Sequence, residues 1–184
     1  MKSFAEIVEK IRTERGLPKE KVPAFDPRNG NESAIFLFLL EAPGAGAVTS
    51  GIVSFENHDQ TAKEFQRQLA AAGISREQIA IWNTVPWYVG SEGIERIRAA
   101  QGSDIQAGLQ YLEPVIRAMP NLRYIVLMGG AARRAHVFLS RITTARIVSC
   151  HHTSPKVSAN NKLARDENIA VLRFISQRSP DAMK

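Results

Sequence analysis

Thiol chemistry is almost missing from this chain: its 184 residues contain one cysteine, Cys150. A single cysteine closes no internal disulfide. No C-x-x-C pair or Cys/His cluster supplies the four ligands of a structural zinc or the thiolates of an iron-sulfur cluster. A reducing, cytoplasmic setting without metal or cofactor is therefore expected. Long apolar runs are missing too. The longest, AIFLFLL at residues 34–40, is far shorter than the about 20 residues that cross a bilayer. The opening MKSFAEIVEKIRTERG alternates charge with apolar residues at helical spacing, which is neither a signal peptide nor a membrane span. Internal repeats and low-complexity tracts are absent. So is the Gly-Lys-Ser/Thr ending of a phosphate loop, and no G-x-G-x-x-G with a later acidic residue follows any strand. Acidic residues are scarce at one end only. Residues 1–116 carry 12 Lys and Arg against 15 Asp and Glu, and residues 117–184 carry 12 against 3. A basic half beside a mildly acidic one suggests a surface that faces a polyanion, although solvated helix faces give the same asymmetry.

What is present describes one globular domain over residues 1–184. Its hydrophobic content of 44% and its length suffice to bury roughly 70% of the unfolded surface without a staple. Ser3 and Glu6 have capping-box spacing. Phe4, Ile7, Val8 and Ile11 follow on one face, so residues 3–15 read as a helix closed by Gly16. Pro18, Pro23 and Pro27 mark a loop. SAIFLFLLE, Ser33 to Glu41, lacks polar alternation and reads as a strand covered on both faces. A Gly/Ala/Ser-rich loop leads to a helix with Asp59 as its N-cap candidate and Gly73 as its terminator. A second strand runs from Ile79 to Thr84, and a long loop from Pro86 to Ser103. Asp104 opens a helical stretch interrupted by Pro114. RYIVLMGG is a third buried strand, AARRAHVFLSR a helix, ARIVSC a fourth strand that reads as buried, and residues 164–177 a final helix. Strands alternating with helices imply right-handed crossovers. The expected fold is a three-layer αβα sandwich around a central parallel sheet of about four strands. In such sheets ligands collect at the carboxyl ends of strands. Those ends are EAPGAG, WNTVPWY, MGGAA and CHHTSP.

Each of these stretches has an ordinary reading and a chemical one. Glu41 is either a plain strand exit or a carboxylate that orients a water or faces a developing positive charge. Pro43 stiffens the turn after it, and Gly44 and Gly46 let backbone amides approach a ligand. Asn83, at the end of a buried strand, either braces its own loop or offers a donor and an acceptor to a nucleobase edge. Trp82, Trp87 and Tyr88 read as core or loop anchors. MGGAA reads as close packing, and Arg133 and Arg134 as solvated or at most phosphate-facing. His58, His136 and His151 have no partner by spacing and stand as structural.

LLEAPG, WNTVPWY and HTSP, in that order and at the ends of strands one, two and four, resemble the uracil-DNA glycosylase superfamily. The resemblance covers about residues 34–175. Its members carry a first motif ending in a Pro turn, E-A-P-G in one branch, then a strand-borne Asn and a final H-P-S-P type loop. The resemblance implies that His152 hydrogen-bonds the oxygen of the leaving base as negative charge builds there. It implies that Asn83 reads the uracil edge, with Phe55 against the base and Ala42, Pro43 and Gly44 around it. Glu41 matches the acidic residue of E-A-P-G. Ser154 and Pro155 match the part of the loop that presses a backbone phosphate. Lys156 and Val157 stand where a side chain enters the duplex to replace the extruded base. Thr153 stands in place of the first Pro of H-P-S-P, which leaves that turn less rigid. Ala42 stands where the best-known branch has its water-orienting Asp, so Glu41, Glu56 and Asp59 are all candidates for the general base. The four cluster-binding cysteines of the E-A-P-G branch are missing.

The function implied is hydrolysis of the N-glycosidic bond of uracil or a related deaminated base in DNA, the first step of base excision repair. The partner is DNA, the membrane plays no part, and a monomer is expected. That reaction passes through a sugar with oxocarbenium character and an anionic base. It asks for a donor at the base oxygen, a carboxylate near the sugar and a dry pocket. A duplex base must also be flipped out, which favours a basic surface and a wedge. Two other readings use the same residues: a superfamily member that binds nucleic acid without hydrolysing it, and a small-molecule nucleoside or nucleotide hydrolase.

Overall fold

A computed structural model describes residues 2–90 and 98–179. In chain order its elements are α1 (Phe4–Arg15), β1 (Ala24–Phe25), β2 (Phe36–Leu40), α2 (Ala45–Ser50), β3 (Ile52–Val53), α3 (Gln60–Ala72) and β4 (Ile79–Asn83). There follow α4 (Gly102–Leu109), α5 (Leu112–Arg117), β5 (Tyr124–Met128), α6 (Gly130–Arg133), α7 (His136–Ile142), β6 (Arg146–Cys150), α8 (Pro155–Asn160) and α9 (Ala164–Gln177). The first helix starts on the expected reciprocal cap: Glu6 N–H donates to Ser3 Oγ at 3.3 Å and Ser3 N–H to Glu6 Oε2 at 2.6 Å. It ends at Gly16, whose φ of 59° no β-carbon opposes. The third helix starts on Asp59, whose Oδ1 accepts from Ala62 N–H at 2.9 Å, and stops at Gly73.

The central sheet has the order β4-β2-β5-β6, with every pairing parallel. Parallel pairing puts residues in register on the same face, so Leu39 shares a face with Trp82, and Phe38 with Ile81. Trp82 stacks on Phe25, which stacks on Phe4 of α1. Phe38 meets Phe65 of α3 edge-on on the opposite face. Helices therefore cover both faces, and β2, β4 and β5 are buried almost throughout. Trp82, Trp87 and Tyr88 are core residues.

Four local features differ from the sequence reading. The segment from Pro18 to Ser33 and the Gly/Ala/Ser-rich stretch hold short helical turns, and a two-stranded parallel sheet joins β1 to β3. Strands of two residues carry no periodicity that marks them. The helix expected after MGG is split into α6 and α7 at Arg134 and Ala135. The fourth strand is not buried but forms the sheet edge, with Arg146 and Ser149 exposed and Ile147 and Val148 half-buried. Pro114 does not break a helix; it sits in the first turn of α5, where its missing N–H costs nothing, and the break lies at Gln110–Tyr111. Of the long loop expected from Pro86 to Ser103, residues 91–97 lie outside the described residues. Among the described residues no helix is long and apolar enough to cross a membrane.

Candidate active site

The carboxyl ends of β2 and β4 open into a cavity of about 510 Å³ on the α3 side of the sheet. Parallel pairing continues just past the strands. Thr84 N–H donates to Leu40 O at 2.8 Å and Val85 N–H to Glu41 O at 2.9 Å, which fixes Glu41 and Asn83 side by side. Glu41, Ala42, Pro43, Gly44, Phe55, Asn83 and His152 all line the cavity, although they come from four separate parts of the chain.

Two carboxylates face it, and each has one oxygen already engaged. Glu41 Oε1 accepts from Ala100 N–H at 2.6 Å. Asp59 Oδ1 accepts from Ala62 N–H as the cap of α3. The third candidate, Glu56, does not line the cavity. Its carboxylate is paired with Arg28 and Arg76, which also hold Asp26, a buried carboxylate directly after β1 that is hydrogen-bonded by Ser54 Oγ at 2.5 Å. Glu56 therefore belongs to a structural ion network. Burial works to raise the Asp26 carboxyl, and hydrogen bonds from Arg28 and Ser54 outweigh it and hold the group below the usual carboxylate range.

Asn83 is 2% exposed, and its Nδ2 has no hydrogen-bond partner in the protein. A buried, unpartnered amide donor is costly unless something else satisfies it, and this one belongs to a cavity-lining residue. Phe55 is buried at the cavity wall, with the Arg76 guanidinium 4.8 Å from its ring centre. Of the two glycines expected to admit a ligand, only Gly46 is closely packed. A β-carbon there would lie 2.7 Å from Asp59 Oδ2 and 3.2 Å from Asn57 Cβ, whereas Gly44 has open space.

His152 closes the cavity from the end of β6. Ser154 N–H donates to its Nδ1 at 3.1 Å. A ring nitrogen that accepts a hydrogen bond carries no proton, so the neutral imidazole bears its proton on Nε2. Burial pushes the imidazole below the ordinary histidine value, against the opposing pull of the Glu41 and Asp59 carboxylates. The adjacent Thr153 is buried, and its Oγ1 donates to Thr61 O at 3.1 Å. The hydroxyl thus ties the turn to α3, a link that a proline at this position has no group to make.

Ser154, Pro155, Lys156 and Val157 do not line the cavity. Ser154 occupies the N-cap position of α8, and Pro155 is its first residue, where its fixed φ suits a helix start. Lys156 is exposed and Val157 half-buried on that first turn, so the stretch expected as a loop is a short helix one residue beyond the His-Thr-Ser turn. His151, expected to lack a partner, has one: its Nε2 lies 2.7 Å from Glu167 Oε2 of α9.

Several site residues have no motif to announce them. Arg98 lines the cavity while its guanidinium holds Asp104 through two contacts, at 2.6 and 3.1 Å. Gly129, in the pair read as plain packing, has φ 90° and ψ 176°, a conformation essentially confined to glycine. A β-carbon there would lie 2.9 Å from His152 Cβ. The glycine pair was the visible signal, and its first member leaves room for His152, whereas Gly130 has open space. Among the described residues no group of three or more His, Cys, Asp or Glu side chains is arranged to hold a metal ion.

The uracil DNA glycosylase superfamily matches the chain over residues 27–174. The chain belongs to that superfamily. Among solved structures it is similar to a candidate uracil DNA glycosylase from Methanosarcina acetivorans, determined by solution NMR. The two share 15% identity and superpose with a TM-score of 0.56, over 83% of this chain and 97% of the other. At that identity the likeness establishes the fold. No curated protein matches by sequence. The cavity described above falls at the carboxyl ends of the strands, where open parallel sheets collect ligands.

Proposed function

We propose that this superfamily member is a DNA glycosylase that hydrolyses the N-glycosidic bond of uracil or a related deaminated base. The observation that carries this reading is the meeting, in one cavity, of an unpartnered Asn83 amide, a neutral-tautomer His152 and two carboxylates. The extruded base enters the cavity against Phe55, and the free Asn83 amide meets a carbonyl on its edge. As the bond from C1′ to the base nitrogen breaks, the electron pair stays with the base. The Nε2–H of His152 donates to the base oxygen where that charge collects, and it does so without first needing a proton. The sugar left behind has oxocarbenium character, which the Glu41 and Asp59 carboxylates stabilise. Water adds to C1′ and its proton passes to Glu41; the base departs as its anion and takes up that proton through solvent, so the products are the free base and an abasic sugar, with Glu41 again a carboxylate.

A base held in a duplex must leave the stack before any of this. Ser154 and Pro155 press the phosphate backbone in this reading, and Lys156 and Val157, on the first turn of α8, fill the gap that the base leaves. The net charge of +6 supports a polyanionic partner.

The test is incubation with labelled oligonucleotides bearing uracil, hypoxanthine, xanthine or a mismatched thymine, single- and double-stranded, scored for abasic sites. Abasic sites at uracil are expected. Tight binding of the same oligonucleotides with no abasic site on any of them would replace the reading with nucleic-acid binding alone.

A further inference from the structure

Behind the His152 turn, away from the cavity, a buried polar chain runs from the surface to the backbone of His151. Arg165 of α9 donates through Nε and Nη2 to the two oxygens of Glu64 of α3, each at 2.6 Å. Gln68 Nε2 donates to Glu64 Oε1 at 2.9 Å. Asn168 of α9 donates from Nδ2 to Gln68 Oε1 at 2.9 Å and to His151 O at 3.0 Å, and its Oδ1 accepts from His151 N–H at 2.7 Å. Asn168 is 1% exposed.

The last contact has a specific geometry. The β5–β6 ladder stops at the pair Met128 and Cys150, so His151 has no strand partner in that ladder. Cys150 turns its backbone carbonyl to β5, where Gly129 N–H meets it at 2.9 Å, so His151 turns its own backbone groups to the open edge of β6, and there one carboxamide satisfies both, as a strand on that side would. His152 is the next residue along. Its ring is held from the other side by Ser154 N–H and by the space that Gly129 leaves.

We propose that Asn168 is a positioning residue: by clamping the His151 backbone to α9, which Gln68 in turn ties to α3, it fixes where the His152 imidazole stands in the cavity. The inference rests on the reading of His152 as donor to the leaving base. A displacement of about 1 Å at a reacting group costs on the order of 10²-fold in rate, and the free end of an edge strand is where such displacement is least opposed.

The test is a cycle of Asn168→Leu and His152→Ala, singly and together, read as single-turnover release of base from a uracil oligonucleotide. Leucine keeps the approximate size and removes both hydrogen-bonding functions. Asn168→Leu is expected to slow release by roughly 10- to 100-fold. In the His152→Ala background it is expected to change the rate by less than about twofold, because coupled residues are not additive. An equal loss in both backgrounds would overturn the proposal and leave Asn168 a structural residue. Should Asn168→Leu fail to fold, Asn168→Asp takes its place. Aspartate keeps the acceptor for His151 N–H but sets an oxygen against His151 O, and its loss should also vanish without His152. Nitrogen NMR of the His152 ring reads the clamp without any reaction. In the wild type Nδ1 should be the unprotonated nitrogen, and the two ring shifts should converge in Asn168→Leu; unchanged shifts would overturn the clamp. A wild type that releases no base, with ring shifts that respond to Asn168, would remove the glycosylase reading and leave the clamp standing.

Discussion

Ser154 and His152 are joined by a hydrogen bond in which a backbone N–H meets Nδ1 at 3.1 Å, so the fold itself selects the tautomer of the ring that faces the cavity. The ring has no need to be cationic, and burial keeps its pKa below the ordinary histidine value. Base excision should therefore be level through neutral pH and fall only in acid, with a midpoint below about 6.5. Stability follows the same sign. The unfolded chain binds the proton first, so the contribution is whole above about 6.5 and declines as pH drops from there to the lower folded value. Single-turnover rates against pH check the first claim, and an acid limb centred above that value would contradict it.

The two cavity carboxylates are separable. Asparagine caps a helix about as well as aspartate, so Asp59→Asn should leave the melting temperature nearly unchanged while removing the charge. We expect it to slow excision by roughly 10-fold. Glu41→Gln, which preserves the acceptor for Ala100 N–H, should slow it by roughly 10² to 10⁴, the range for a general base. Rates for the two variants in the reverse order would hand the water to Asp59.

Gly129→Ala meets two obstacles at once, a glycine-only backbone conformation and a contact at 2.9 Å with His152 Cβ. The strain should cost about 1–3 kcal/mol, measurable by denaturant titration. Excision should fall further than that stability loss explains, because the clash is relieved by moving His152. Full activity in a destabilised protein would show that the ring tolerates the shift.

The parts of the molecule legible in its sequence are those whose signal is local. Phe36–Leu40, Ile79–Asn83 and Tyr124–Met128 are runs of apolar residues, buried on both faces as parallel strands must be. Ser3, Gly16, Asp59 and Gly73 announce helix ends through their own side chains or their freedom from one. The candidate site was legible as far as its motifs reach, because Glu41, Asn83 and His152 each stand at or just past the carboxyl end of a strand. Contacts across long sequence gaps left no trace. Asn168 meets Gln68 over 100 residues and Thr153 meets Thr61 over 92, and nothing in the spacing of these residues distinguishes them from solvated polar side chains. The edge position of β6 was hidden as well, since Ile147 and Val148 look alike whether covered on one face or two.

The most direct test of the account is the release of free uracil from a uracil-containing oligonucleotide by the wild type, His152→Ala and His151→Ala. His151 is the natural control, since its ring pairs with Glu167 and does not line the cavity. The wild type should release uracil, His152→Ala should release it roughly 10² to 10³ times more slowly, as for loss of one preorganised donor, and His151→Ala should stay within a few-fold of the wild type. No uracil from the wild type, or wild-type rates from His152→Ala, would contradict the account.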